Sequence, residues 1–135
     1  MSEKIEERNR RMLRARDRMD RSFAEPLDVD GLARVAHVSR AHFSRQFRAT
    51  FGESPHRYLQ RRRVERAMEF LRETDRSVTD VCFDVGFNSL GTFSRTFREI
   101  VGESPSDYRA RFAGEAGAAL RVPACFAMAW TRPAG

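Results

Sequence analysis

One pattern of residues occurs twice in this chain, and the repeat limits the architectures open to it. From Ser39 the sequence reads Ser-Arg-Ala-His-Phe-Ser-Arg-Gln-Phe-Arg, then Gly52-Glu53-Ser54-Pro55, then Tyr58. From Ser89 it reads Ser-Leu-Gly-Thr-Phe-Ser-Arg-Thr-Phe-Arg, then Gly102-Glu103-Ser104-Pro105, then Tyr108. Twelve of the twenty-three aligned positions are identical, so the chain carries two copies of one unit. Each copy spells a helix, a stop and a new helix. Ser39 and Ser89 are N-cap residues, Gly52 and Gly102 suit a left-handed helix end, and Ser-Pro at 54–55 and 104–105 is a cap followed by proline in the first turn.

A shorter helix precedes each copy. Asp28 caps a run with Val29, Leu32, Ala33 and Ala36 on one face, and Ser77 caps its counterpart with Val78, Val81, Cys82 and Val85. His37-Val38 joins the first pair of helices and Gly86-Phe87-Asn88 the second, one residue longer. Short helix, tight turn, longer helix is a helix-turn-helix. A wheel at about 100° per residue turns Phe43 and Phe47 inward and Ala41, Arg45 and Arg48 outward, with Ser44 at the edge. The second copy turns Phe93 and Phe97 inward and Gly91, Arg95 and Arg98 outward. The phenylalanines are therefore core.

The remaining segments follow from periodicity and breakers. Residues 3–23 read as a helix with Ile5, Met12, Ala15, Met19 and Phe23 as its apolar stripe, ended by Pro26. Pro55 to Glu73 reads as one long helix with Tyr58, Leu59, Ala67, Met68 and Leu71 buried. A last helix runs from Pro105 to about Phe112. The fold class is all-α: two helix-turn-helix subdomains joined by a long linker helix, about seven helices in all. The divisions are an N-terminal helix packing on the first subdomain (1–24), the first helix-turn-helix (25–54), the linker (55–73), the second helix-turn-helix with its closing helix (74–113), and an apolar tail (114–135). The tail has no helical period and reads as a disordered or loosely packed end. The alternative is a docking segment anchored by Phe126 and Trp130.

Charge now separates the functions. The net charge is +6, carried by arginine, which favours a polyanion: nucleic acid first, an anionic membrane second. No apolar run approaches the ~20 residues that span a bilayer, and no secretory signal is visible. Cys82 and Cys125 form no Cys-x-x-Cys pair, so a reducing cytoplasm, with the protein at the nucleoid, is the expected setting. His37, His42 and His56 do not pair with acids or cysteines at ligand spacing, and there is no phosphate loop. No enzyme activity, metal or cofactor is expected.

The linker of about nineteen residues is about 28 Å long at ~1.5 Å per residue. With the width of the packed units added, the outward faces are expected roughly one turn of B-DNA apart, ~34 Å. Two recognition helices, about 39–51 and 89–101, then enter successive major grooves of an asymmetric promoter site, and the protein acts there as a monomer. Arginine bonds bidentately to guanine, so Arg45 and Arg95 are the expected base readers. Ala41 and Gly91 permit close approach on the same face, and Ser44, Thr92 and Ser94 lie within reach of base edges. Arg40, His42, Arg48, Arg61, Arg62, Arg63, Ser89 and Arg98 are placed for the DNA backbone, which positions without specifying. From 39 to 63 the charge is about +6, and from 89 to 111 about +1, so the first unit is expected to carry most of the salt sensitivity. The competing reading is a basic nucleoid-type protein with little sequence preference.

These residues carry a family resemblance. Ala33, Ser39, Phe43, Arg45, Phe47 and Arg48, with Gly86-Phe87, Ser89, Phe93, Ser94-Arg95-Thr96-Phe97-Arg98, Gly102, Pro105 and Tyr108-Arg109, resemble the DNA-binding domain of the AraC/XylS family of bacterial transcription regulators. The resemblance runs from about Asp28 to Phe112. It implies two helix-turn-helix subdomains on a linker helix, promoter DNA as partner and, in many members, contact with RNA polymerase during activation. Many members also carry a sensory domain; the chain resembles the small stand-alone type. Leu90 and Gly91 depart from hydrogen-bonding groove readers.

Overall fold

The computed structural model describes residues 2–116. In order they form α1 (Ser2–Arg21), α2 (Val29–Val35), α3 (Arg40–Phe51), α4 (Pro55–Glu73), α5 (Val78–Asp84), α6 (Leu90–Val101) and α7 (Pro105–Ala116). No strand occurs among the described residues. The expected apolar tail lies outside them from residue 117 onward. α7 continues to Ala116, past the expected stop at Phe112. Gly114 does not break the helix, because Ala113, Glu115 and Ala116 around it are good helix formers.

The caps act where the sequence puts them. Asp28 accepts the Gly31 N–H at 2.7 Å, Ser77 the Asp80 N–H at 3.0 Å and Ser89 the Thr92 N–H at 3.1 Å. Ser54 and Ser104 do the same for Arg57 and Asp107 at 3.1 and 3.0 Å. Each bond occupies one of the donors that a helix start leaves unpaired. Gly52 (φ 83°) and Gly102 (φ 96°) end α3 and α6 in the left-handed conformation.

The chain forms two compact units, divided between Arg62 and Arg63. The division falls inside α4: its first half belongs to one unit and its second half to the other. The first unit closes over Met12, Ala15 and Met19 of α1, Leu32 and Ala33 of α2 with its C-cap Ala36, Phe43 and Phe47 of α3, and Tyr58 and Leu59 of α4. Phe23, Leu27, Val29, Val38 and Phe51 pack around this cluster. Ile5, expected on the same stripe, is 48% exposed. It lies toward the amino end of α1 among Glu3, Lys4, Glu7 and Arg8, two turns before the first core residue, Met12.

The second unit buries Val64, Ala67, Phe70 and Leu71 of α4, Val81, Cys82 and Val85, and Phe87, Phe93, Phe97 and Tyr108. Val64 and Phe70 extend the stripe expected on α4, whereas Met68 is only half-buried. Ring geometry repeats between the units. Phe43–Phe47 and Phe93–Phe97 both have centroids 5.7 Å apart, and Phe47–Tyr58 and Phe97–Tyr108 meet edge-on at 5.7 and 5.6 Å. Such pairs add about 0.5–1.5 kcal/mol beyond area burial.

A further repeat is hidden in the sequence. At one constant spacing, Met12, Ala15 and Met19 of α1 correspond to Val64, Ala67 and Leu71 of α4, and all six are fully buried. The next pair at that spacing is Asp20 and Arg72, and each engages a tyrosine. The Tyr58 hydroxyl donates to Asp20 at 2.7 Å, and Arg72 donates to the Tyr108 hydroxyl. Each unit is thus a helix, a helix-turn-helix and a closing helix, with α4 serving both.

The turns of the two helix-turn-helices also match. His37 and Gly86 donate to the carbonyls of Arg34 and Phe83, and Val38 and Phe87 donate to those of Ala33 and Cys82, all at 3.1 Å. This is the Schellman arrangement, which needs a left-handed residue after the cap. The second unit uses Gly86 (φ 101°); the first uses His37 at φ 60°. His37 is exposed and makes no side-chain hydrogen bond among the described residues. His37→Gly is therefore expected to stabilise the first unit by about 1 kcal/mol in chemical denaturation. A loss of stability would show that the imidazole has a role of its own.

Candidate nucleic-acid interface

Which side chains reach solvent is decided by the phenylalanine spacing. With Phe43 and Phe47 at 0% exposure, α3 turns Ala41, Arg45 and Arg48 out to solvent and leaves Ser44 half-buried. α6 buries Phe93, Thr96 and Phe97, exposes Gly91, Arg95 and Arg98, and leaves Thr92 and Ser94 half-buried. Arg45 and Arg95 have no ion-pair partner among the described residues, so their donor forks are available.

The first turn of α3 is polar. Arg40 is exposed and lies 3.8 Å from Asp30, a surface contact worth well under 1 kcal/mol. His42 Nε2 lies 2.8 Å from the Gln46 side-chain nitrogen, which fixes both side chains along the helix. The first turn of α6 is different. Ser89 caps the helix, and its hydroxyl also donates to the Thr92 hydroxyl at 2.9 Å. Leu90 is 40% exposed, and a Cβ built on Gly91 would meet nothing within 4 Å. The fold therefore does not require glycine at 91, although glycine in a helix costs about 1 kcal/mol.

The α4 arginines are held elsewhere. Arg61 donates to Glu53 at 2.7 Å and lies 5.2 Å from the Tyr58 ring centroid. Arg62 donates to Asp20 at 3.2 Å. Burial pulls the pKa of Arg63 below its ordinary value. The structure thus gathers Arg40, Ala41, His42, Ser44, Arg45 and Arg48 on α3, and Ser89, Gly91, Thr92, Ser94, Arg95 and Arg98 on α6. It places Arg61 and Arg62 on α4 beside carboxylates. The second unit repeats the device, with Arg111 donating to Glu103 at 3.0 Å and stacking over Tyr108 and Phe112. The sequence places Arg61 for the DNA backbone; the structure adds the Glu53 carboxylate beside it. The signal that finds the clamp is the recurrence of Glu and Arg at the same spacing on either side of both Ser-Pro stops.

Supporting groups hold the scaffold around these helices. Burial, and then the Asp20 carboxylate it donates to, push the Tyr58 hydroxyl up to about 12. The neutral phenol therefore favours the folded state fully below about pH 10, and that contribution is lost as pH rises toward 12. Arg109 donates to the carbonyls of Leu71 and Thr74 at 3.1 and 3.3 Å, supplying partners that the end of α4 lacks. Burial raises the Cys82 thiol, so it stays protonated and packs as a small apolar group. Among the described residues no His, Cys, Asp and Glu gather in threes as a metal site, and no helix is long and apolar enough to cross a membrane.

Comparison with known proteins fits this geometry. A family model described as a helix-turn-helix domain matches residues 32–111. Regulatory protein SoxS of Salmonella typhimurium is 36% identical over 93 residues, covering 69% of this chain and 87% of that protein. The transcriptional activator RhaS of Enterobacter is 40% identical over 65 residues, covering 48% of this chain and 23% of that protein. The match thus spans about a quarter of the length of RhaS. Among solved structures, the DNA-binding domain of AdpA in complex with a target DNA aligns with a TM-score of 0.74 at 33% identity, covering 77% of this chain and 94% of that one. An AraC-type regulator from Chromobacterium violaceum aligns at 0.70 and 31%, over 76% and 92%.

Proposed function

The chain belongs to the AraC-type helix-turn-helix family of DNA-binding transcription regulators, and from that premise we propose that its two units read one asymmetric promoter site. α3 and α6 enter successive major grooves as recognition helices. Arg45 and Arg95 are the base readers, each seeking guanine O6 and N7. Ala41 and Gly91 let the backbone approach, and Ser44, Thr92 and Ser94 complete the base-edge contacts. Arg40, His42, Arg48, Ser89 and Arg98 hold phosphates. A phosphate role for Arg61 and Arg62 competes with Glu53 and Asp20, and Arg63 is half-buried, so these three contribute less. The protein acts as a monomer on DNA, because one chain carries both recognition helices, and RNA polymerase is its expected partner at the promoter.

The observation that carries the proposal is the repetition of one exposed, unpaired arginine at the same place on two buried-phenylalanine helices. A surface selected only for solubility has no reason to repeat that placement.

Selection from a random duplex pool, followed by footprinting, tests it. A preferred duplex of about twenty base pairs, bound at least ~1,000-fold tighter than random DNA at physiological salt, is the expected result. Affinities that track charge alone, with no preferred duplex, would establish a basic DNA-coating protein instead.

A further inference from the structure

The two recognition helices differ most at their amino ends. α3 opens with Arg40, Ala41 and His42; α6 opens with Leu90, Gly91 and Thr92. Two features of the α6 end are unexplained by the fold. Leu90 is 40% exposed, one of four large apolar side chains so exposed among the described residues. Gly91 faces open space, where any side chain fits. The hydroxyls of Ser89 and Thr92 are already bonded to each other, 2.9 Å apart. This turn therefore offers a partner an apolar surface and a bare backbone, beside a Thr92 hydroxyl whose proton is still free to donate.

We infer that Leu90, with Gly91 beside it, recognises a thymine 5-methyl group in the second half-site. The inference rests on the DNA-reading role proposed above and adds a specificity to it. Among the base edges in the major groove, only thymine presents an apolar group. A leucine pressed against the cytosine amino group or a purine acceptor leaves that polar group without a partner, which disfavours those bases. Gly91 removes the one Cβ that would hold the backbone away. The first unit has no such surface, because its equivalent positions are Arg40 and Ala41. The two half-sites are thus read by different chemistry at matching positions.

Deoxyuridine scanning tests this. On the preferred duplex, each thymine of the second half-site is replaced singly by deoxyuridine, which deletes only the methyl group. Wild-type binding is expected to weaken roughly four-fold at one or two positions, the value of one buried carbon. Leu90→Ala is expected to bind the thymine and uracil duplexes equally there while keeping its Arg95-dependent preference. Leu90 is solvent-exposed, so the variant should keep its helical circular dichroism. A wild-type protein indifferent to uracil throughout the second half-site, yet still sensitive to base-pair changes there, overturns the inference and leaves the two-helix reading standing. A uracil penalty that survives in Leu90→Ala does the same. Loss of base-pair preference everywhere overturns both.

Discussion

Phe47→Ala is expected to destabilise the first unit by about 3–5 kcal/mol and to leave the second unit folded. Phe47 is fully buried and is the hub of its core, in ring contact with Phe43 at 5.7 Å, Phe51 at 4.7 Å and Tyr58 at 5.7 Å. Its removal deletes transfer free energy, leaves a cavity between α3 and the start of α4, and breaks three aromatic contacts at once. Against a typical domain stability of about 5–15 kcal/mol, that is a large fraction. Phe97→Ala should do the same to the second unit, where Phe97 contacts Phe93 and Tyr108. Hydrogen exchange separates the two effects. Amides of α1, α2 and α3 should lose protection in Phe47→Ala while those of α5, α6 and α7 keep theirs, and the pattern should invert in Phe97→Ala. Equal loss in both units would mean that α4 couples the cores into one folding unit.

The next largest effect is on binding. Arg45→Ala is expected to weaken the preferred duplex by about 2 kcal/mol, roughly thirty-fold, and to relax the requirement for one guanine. Arg48→Ala should instead weaken all sequences alike and reduce the slope of log affinity against log salt by about one. The exposed arginines of α3 number more than those of α6, and Glu99 lies beside Arg95 and Arg98. The first unit should therefore dominate the salt dependence. A salt titration of Arg48→Ala beside Arg98→Ala decides this. If Arg98→Ala flattens the slope more, the second unit is the phosphate-binding one and the assignment is reversed.

Much of this was legible in the sequence because helix ends leave chemical marks. Asp28, Ser39, Ser77 and Ser89 cap helices through the hydroxyl or carboxylate that recommends them, and Gly52 and Gly102 take the left-handed turn that other residues resist. The phenylalanine spacing in turn fixed which arginines face water. Pairing was less legible. That Glu53 holds Arg61, and Glu103 holds Arg111, depends on the angle between consecutive helices at the Ser-Pro stops, which periodicity does not encode. The kinship of α1 and α4 was hidden because only Ala15 and Ala67 are identical among the core pairs; the rest conserve volume and burial. Ile5 misled because a stripe continues in sequence past the point where there is anything to pack against. His37 misled because histidine gives no hint of a positive φ.

The shared α4 has a consequence for how such a chain comes to exist. A module that opens and closes on the same kind of helix can be copied by inserting about fifty residues, since the old terminus becomes the new beginning. The copy adds three helices, α5 to α7, and no new connector has to be invented. The copies can then differ at their reading surfaces, as Arg40 and Leu90 do, while each half of the common helix stays tied to its own core.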